Sequence, residues 1–221
     1  MIERPSPNHE PRPASTPIDM LVLHYTGMKT ATEALARLRD PAAKVSAHYL
    51  IDEDGTLCRL VAEDKRAWHA GLAVWRGQTD VNSRSIGIEL VNPGHEFGYR
   101  AFPAAQMAAL IELGRALLAR HPIPARNVVG HSDVAPARKQ DPGELFDWPG
   151  LAEAGIGLWP KPRSTPSSAD PLANLARYGY GIDDPPAAIR AFQRHFRPAR
   201  IDGIIDAECR ALLDGLLAQG A

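Results

Sequence analysis

Several absences narrow the chain before any motif is read. Only two cysteines are present, Cys58 and Cys209, far apart and in no CxxC pair, which excludes a disulfide framework and a thiolate zinc knuckle. No apolar run approaches the roughly 18 to 20 residues of a membrane span. Met1 to Pro17 is polar and holds five prolines, with no apolar stretch of the kind a signal peptide carries. The expected compartment is therefore the cytoplasm, or the periplasm or cell envelope if an export signal has been removed. Charge of one sign is lacking too: 25 lysines and arginines face 26 aspartates and glutamates, a formal net charge of −1. No global field recruits DNA, RNA or anionic lipid, so nucleic acid is not an expected partner.

What remains is an ordinary globular composition, 44% hydrophobic and 23% charged over 221 residues, enough for a core domain and a modest second unit. The proline-rich residues 1–17 read as a flexible arm, because proline interrupts helices and sheet ladders. From Ile18 the pattern changes. Met20 to Tyr25 is a short apolar run suited to a buried strand. Ala31 to Arg39 reads as a helix stopped by Asp40-Pro41. Ala47 to Ile51 and Thr56 to Val61, joined by Asp54-Gly55, read as a hairpin. Ser85 to Val91 is a further strand, and Val128-Val129 another. Met107, Leu110, Ile111, Leu117 and Leu118 recur at helical spacing, so Pro103 to Arg120 reads as a long amphipathic helix. Strands alternating with helices imply an α/β domain over 18–159, a central mixed β-sheet flanked by helices. Residues 160–170 have linker composition. Beyond them, Pro171 to Tyr178, Pro185 to Phe196 and Asp206 to Leu217 read as a small three-helix module over 171–221.

Polar residues that interrupt apolar strands carry the chemistry. His24 stands at the end of the first strand of the domain, His131 follows Val128-Val129-Gly130 in the same way, and Asp141 lies ten positions on. Two imidazoles and a carboxylate suit zinc, with a fourth position left for water. A histidine at a strand end is also an ordinary hydrogen-bonded structural residue, and aspartate before proline an ordinary turn former. No HExxH motif is present, so spacing alone leaves both readings open. Glu89 interrupts the apolar run Ile86 to Leu90, and an unpaired buried carboxylate is costly, which favours a site. Trp68, His69 and Asn82 suit a groove that takes sugar rings and peptide amides. His48 is a further candidate for substrate contact.

Five segments decide between the readings. Leu21 to Thr26, Val45 to Ile51, Asp64 to Gly71, Asn82 to Leu90, and Gly130 to Asp133 running on to Lys139 to Gly143 occur in the order of the type 2 N-acetylmuramoyl-L-alanine amidases. The chain resembles that family over about residues 18 to 150. The resemblance implies hydrolysis of the amide between N-acetylmuramic acid and L-alanine, with peptidoglycan or muropeptides as partner. It implies one Zn²⁺ per chain on His24, His131 and Asp141, with Glu89 as general base and Lys139 stabilising the oxyanion. It leaves His48, Trp68, His69 and Asn82 as the expected substrate contacts. Some relatives carry tyrosine where this chain has Ala47, which shifts weight onto Glu89 and Lys139. The same fold also serves non-catalytic peptidoglycan recognition proteins; Asp141 and Lys139 favour the enzyme.

The C-terminal segments Asn174 to Tyr180, Ala191 to Phe196 and Ile201 to Asp206 resemble the three-helix peptidoglycan-binding domain. That implies contact with polymeric wall, whereas the lack of an export signal implies soluble fragments inside the cell. Sequence leaves this conflict, and the oligomeric state, open.

Overall fold

The computed structural model describes residues 1–163 and 169–220. Among the described residues there are eight strands: β1 (Ile2–Glu3), β2 (His9–Pro11), β3 (Met20–Tyr25), β4 (Tyr49–Ile51), β5 (Leu57–Arg59), β6 (Lys65–Ala67), β7 (Ser85–Leu90) and β8 (Val128–Gly130). Six of them form one sheet in the order β1-β5-β4-β7-β3-β8, and β2 pairs antiparallel with β6 beside it. Within the large sheet only the β4–β5 hairpin is antiparallel. The sheet is therefore mixed, and its centre is parallel.

Period-two patterning divides the central strands between two cores. Leu21 and Leu23 of β3 and Ile86, Ile88 and Leu90 of β7 pack with Leu110, Leu113 and Leu117, which belong to the long helix Ala104–Arg120. The opposite face carries Met20, Val22 and His24 on β3 and Ser85, Gly87 and Glu89 on β7. Part of that face is covered by the helix Ala31–Arg39, whose Ala34 and Leu38 meet Leu50 and Val61.

The C-terminal helices pack over another part of that face, around Met20 and Val22. Numbered in chain order, the helices are α1 (Ala31–Arg39), α2 (Val81–Arg84), α3 (Gly94–Phe97), α4 (Ala104–Arg120), α5 (His131–Val134), α6 (Trp148–Glu153), α7 (Pro171–Tyr178), α8 (Pro185–Phe196) and α9 (Ala207–Gly220). A single apolar cluster joins Met20, Val22, Trp75, Val129 and Val134 to Leu175, Tyr178, Tyr180, Phe192, Phe196 and Leu216. The three-helix module thus shares a core with the α/β domain. Of the linker segment, residues 164–168 lie outside the described residues. Just before them Arg163 N–H donates to Ala211 O at 3.1 Å, so the chain there runs along α9.

The N-terminal segment corrects the flexible-arm expectation. β1 pairs with β5 and β2 with β6, Ser6 and Asn8 are buried, and Ser6 Oγ–H donates to Leu38 O at 2.6 Å. Its prolines are tolerated because four of the five lie outside the strands and the fifth, Pro11, ends β2.

Candidate active site

The central strands bring the predicted ligands together at their carboxyl ends, where open α/β sheets hold their ligands. His24 pairs with Glu89 across β3 and β7, and side chains paired in this way leave the sheet on one face. His131 begins α5 directly after β8 ends at Gly130. Asp141 arrives on the following loop, which is tied back by Ser132 N–H donating to Asp141 O at 2.9 Å.

His24 Nδ1 lies 2.9 Å from His131 Nδ1 and 3.1 Å from Asp141 Oδ2, and His131 Nδ1 lies 3.0 Å from the same oxygen. All three residues are buried, and their ligand atoms are close enough to share one metal ion.

Hydrogen-bond partners fix which ring nitrogens carry protons. Ser85 Oγ–H donates to Val81 O at 2.6 Å. Its oxygen therefore accepts from His69 Nε2–H, 3.1 Å away. His69 Nδ1 is left as an acceptor for His24 Nε2–H at 3.0 Å. His131 Nε2–H donates to Ala70 O at 3.0 Å. Both Nδ1 atoms thus turn lone pairs toward a carboxylate oxygen, with no proton among the three. Such a triangle, about 3 Å on a side, repels itself unless a cation sits on it, and ligand bonds of about 2.0–2.1 Å fit it. The donor set fits a metal.

Charge tuning agrees with that geometry. Burial, then the neighbouring His131, lowers His24 to about 4, which keeps it neutral. Burial with the nearby His24 and His48 rings holds His69 well below its ordinary value. Burial opposes ionisation of Asp141, but His131 and His24 outweigh it and hold the carboxyl far below the usual carboxylate range. Glu89 goes the other way: burial and the Asp141 charge raise it well above its ordinary value, with Lys139 opposing. Glu89 Oε2 is buried and has no hydrogen-bond partner among the described residues. Asp141 is thus held ionised while Glu89 has a raised affinity for a proton it can take up, a pairing that marks acid–base sites.

A cleft of about 380 Å³ surrounds these groups, lined among others by Met28, Arg37, Trp68, His69, Glu89 and Lys139. It brings together seven of the nine site residues named from sequence: His24, His131, Asp141, Glu89, Lys139, Trp68 and His69. His48 and Asn82 lie outside that lining. His48 is fully buried, its Nδ1 accepts from Gly87 N–H at 3.0 Å, and its Nε2 faces Lys65 O and Arg12. Asn82 Oδ1 accepts from the His69 and Ala70 N–H groups at 3.2 and 2.8 Å. Neither lines the cleft: both His48 ring nitrogens and Asn82 Oδ1 are engaged by adjoining backbone groups and by Arg12.

Sequence reasoning missed three supports. Ser85 terminates the proton chain behind His24. Arg12 reaches from the N-terminal segment to Asn82 O, Ser83 O and Ser85 O at 3.1, 2.7 and 2.8 Å. Asp133 lies beneath His131, fully buried. Ser85 and Asp133 stood in quoted motifs without being singled out, and Arg12 gave no signal, since each acts through a fold contact.

A family model described as N-acetylmuramoyl-L-alanine amidase matches residues 14–144. The chain belongs to that amidase family. Among the amidase's relatives, AmiD of Escherichia coli K12 is 41% identical over 230 aligned residues, covering 90% of this chain and 82% of its own. The solved complex of the E. coli AmiD with anhydro-N-acetylmuramic acid-L-Ala-D-gamma-Glu-L-Lys matches with a TM-score of 0.82 at 39% identity, over 93% and 91% of the two chains. AmpDh3 of Pseudomonas aeruginosa, solved with an anhydromuramic pentapeptide, matches with a TM-score of 0.83 at 34% identity, over 94% of each chain. The amidase shares its mixed α/β architecture with these enzymes. Among the described residues no helix is long and apolar enough to cross a membrane.

Proposed function

We propose that the amidase hydrolyses the amide bond between N-acetylmuramic acid and L-alanine, using one zinc ion held by His24, His131 and Asp141, and that its substrates are soluble anhydro-muropeptides. The observation that carries the metal assignment is the convergence of three proton-free donor atoms at 2.9 to 3.1 Å. The substrate class rests on the ligands bound by the two solved relatives.

When bound, zinc acidifies water and polarises the scissile carbonyl. The chain's own residues do the rest. Glu89 stands beside His24 in the strand register with a free carboxylate oxygen. It takes the proton of the attacking water, and its raised proton affinity lets it keep that proton until the departing alanine nitrogen accepts it. Lys139 is the nearby cation that lowers Glu89's proton affinity. It also offsets negative charge growing on the carbonyl oxygen, a stabilisation whose loss costs about 3 kcal/mol in the barrier in comparable sites. Trp68 offers an aromatic wall to the sugar, and His69 holds the His24 ring rather than the substrate.

The test is digestion of anhydro-N-acetylmuramyl-tripeptide, with products identified by mass, beside intact sacculi. Release of a peptide with a free L-alanine amino group is expected from the soluble fragment. A Glu89→Gln protein that binds zinc and keeps full turnover removes Glu89 from the mechanism. Solubilisation of sacculi in preference to fragments overturns the soluble-substrate assignment.

A further inference from the structure

The side chain of Asp133 lies under the zinc ligand His131 but does not touch the cleft. It is fully buried and accepts three hydrogen bonds. Oδ2 accepts from Gly130 N–H and from His195 Nδ1–H, each at 2.7 Å, and Oδ1 accepts from Tyr180 O–H at 2.7 Å. Gly130 caps the four-residue helix α5 whose first residue is His131. A helix of one turn does not hold its own position, since nearly all its backbone groups are end groups. Asp133 supplies that hold, and two of its three donors come from the C-terminal module.

Those donors are themselves fixed. The His195 ring is stacked between Trp148 and Phe196, with centroids 3.7 and 3.8 Å away. Tyr180 meets Trp75 edge-on at 5.2 Å. Val134, the last residue of α5, lies in the apolar cluster that includes Phe192 of α8. The sequence resemblance directs attention outward, to a wall-binding role for this module. Its polar anchors point inward.

We propose that Asp133 is a positioning residue for His131, clamped by Tyr180 and His195, so that the C-terminal module supports the metal centre as well as the fold. The proposal rests on the zinc assignment made above. A ligand imidazole keeps its affinity only while its lone pair stays aimed, and groups that fix a ligand's orientation typically control about 10–100-fold of metal affinity. Loss of one donor leaves a buried carboxylate oxygen short of a partner, and the α5 turn relaxes toward a new arrangement.

The full-length chain is tested as Tyr180→Phe, His195→Gln and Asp133→Asn. Tyr180→Phe keeps the ring and its packing and removes only the hydroxyl. Zinc affinity is measured by competition with a chromophoric chelator on metal-stripped protein, alongside circular dichroism and thermal unfolding of the same metal-free samples. A module that merely stabilised the fold would lower the melting temperature of the metal-free protein and leave the zinc affinity of the folded fraction unchanged. The expected result is a loss of zinc affinity of about tenfold or more in folded Tyr180→Phe, growing toward a hundredfold in Asp133→Asn. KM for an anhydro-muropeptide stays within about twofold, since no residue lining the cleft is changed. Zinc affinity within twofold of the parent in all three folded variants overturns the proposal. Failure of the parent itself to bind zinc overturns the metal assignment, and this proposal with it.

Discussion

Gly87 offers a sharp perturbation of the site, because it faces the ring that holds His24. A Cβ placed on Gly87 would lie 2.4, 2.6 and 2.7 Å from Cγ, Cδ2 and Nδ1 of His69. Ordinary carbon contacts are about 3.5–4.0 Å, so the ring or the strand must yield by roughly 1 Å. Gly87 is held on one side by His48, with His48 N–H donating to Gly87 O and Gly87 N–H donating to His48 Nδ1, both at 3.0 Å, and its strand is paired with β3 on the other. The His69 ring is therefore the part that moves. It cannot move that far and keep both its 3.0 Å bond to His24 and its 3.1 Å bond to Ser85, since hydrogen bonds fail beyond about 3.5 Å. With the acceptor for His24 Nε2–H displaced, the Gly87→Ala protein should bind zinc about 10–100-fold more weakly, or about 1.4–2.8 kcal/mol. Chelator competition on metal-free protein measures this. In a His69→Ala background the ring is gone, and Gly87→Ala should then cost little more, which gives a large coupling in the double-mutant cycle. Unchanged zinc affinity in Gly87→Ala, or an equal loss in both backgrounds, refutes the reasoning.

Other outcomes follow from the same contacts. Glu89→Gln should retain zinc while turnover falls by at least two orders of magnitude, the usual yield of a positioned general base; isotope-dilution metal analysis beside product assays checks both halves. Phe192→Ala removes a buried ring from the core shared by the module and the sheet, and should cost about 3–5 kcal/mol in urea unfolding. Burial would raise Glu63, but hydrogen bonds from Arg120, Tyr49 and His121 prevail and lower it to about 2. A carboxylate depressed in the fold stabilises it above the unfolded pKa and loses that contribution as pH falls through the folded one. Acid unfolding should thus weaken the parent between about pH 5 and 2, and Glu63→Gln should flatten that part of the stability curve.

The parts of this molecule legible from sequence are those set by local pattern. Strand Met20–Tyr25 and helices Ala31–Arg39 and Pro185–Phe196 appear where apolar spacing and capping residues put them, because each is specified within one window of chain. His24, His131 and Glu89 converge in the cleft because each sits at or beside a strand end, and Asp141 joins them on the loop after α5. The N-terminal segment was misread because five prolines outweigh two short edge strands in any local reckoning, and the buried reach of Arg12 is a long-range fact. His48 and Asn82 look like cleft residues in sequence, yet polar side chains next to a site satisfy backbone groups as readily as substrate. The fusion of the C-terminal helices to the sheet was illegible for the same reason. Tyr180 and His195 give no sign, in their own segments, that their partner is Asp133.

The account turns on one zinc ion at His24, His131 and Asp141 doing the cutting, and titration of zinc into metal-free enzyme tests it most directly. Peptide release from anhydro-N-acetylmuramyl-L-alanyl-peptide should start from nothing, rise in step with added metal, and level off at one equivalent per chain. Full cleavage by the metal-free protein, or one bound zinc with no cleavage at the L-alanine bond, contradicts it.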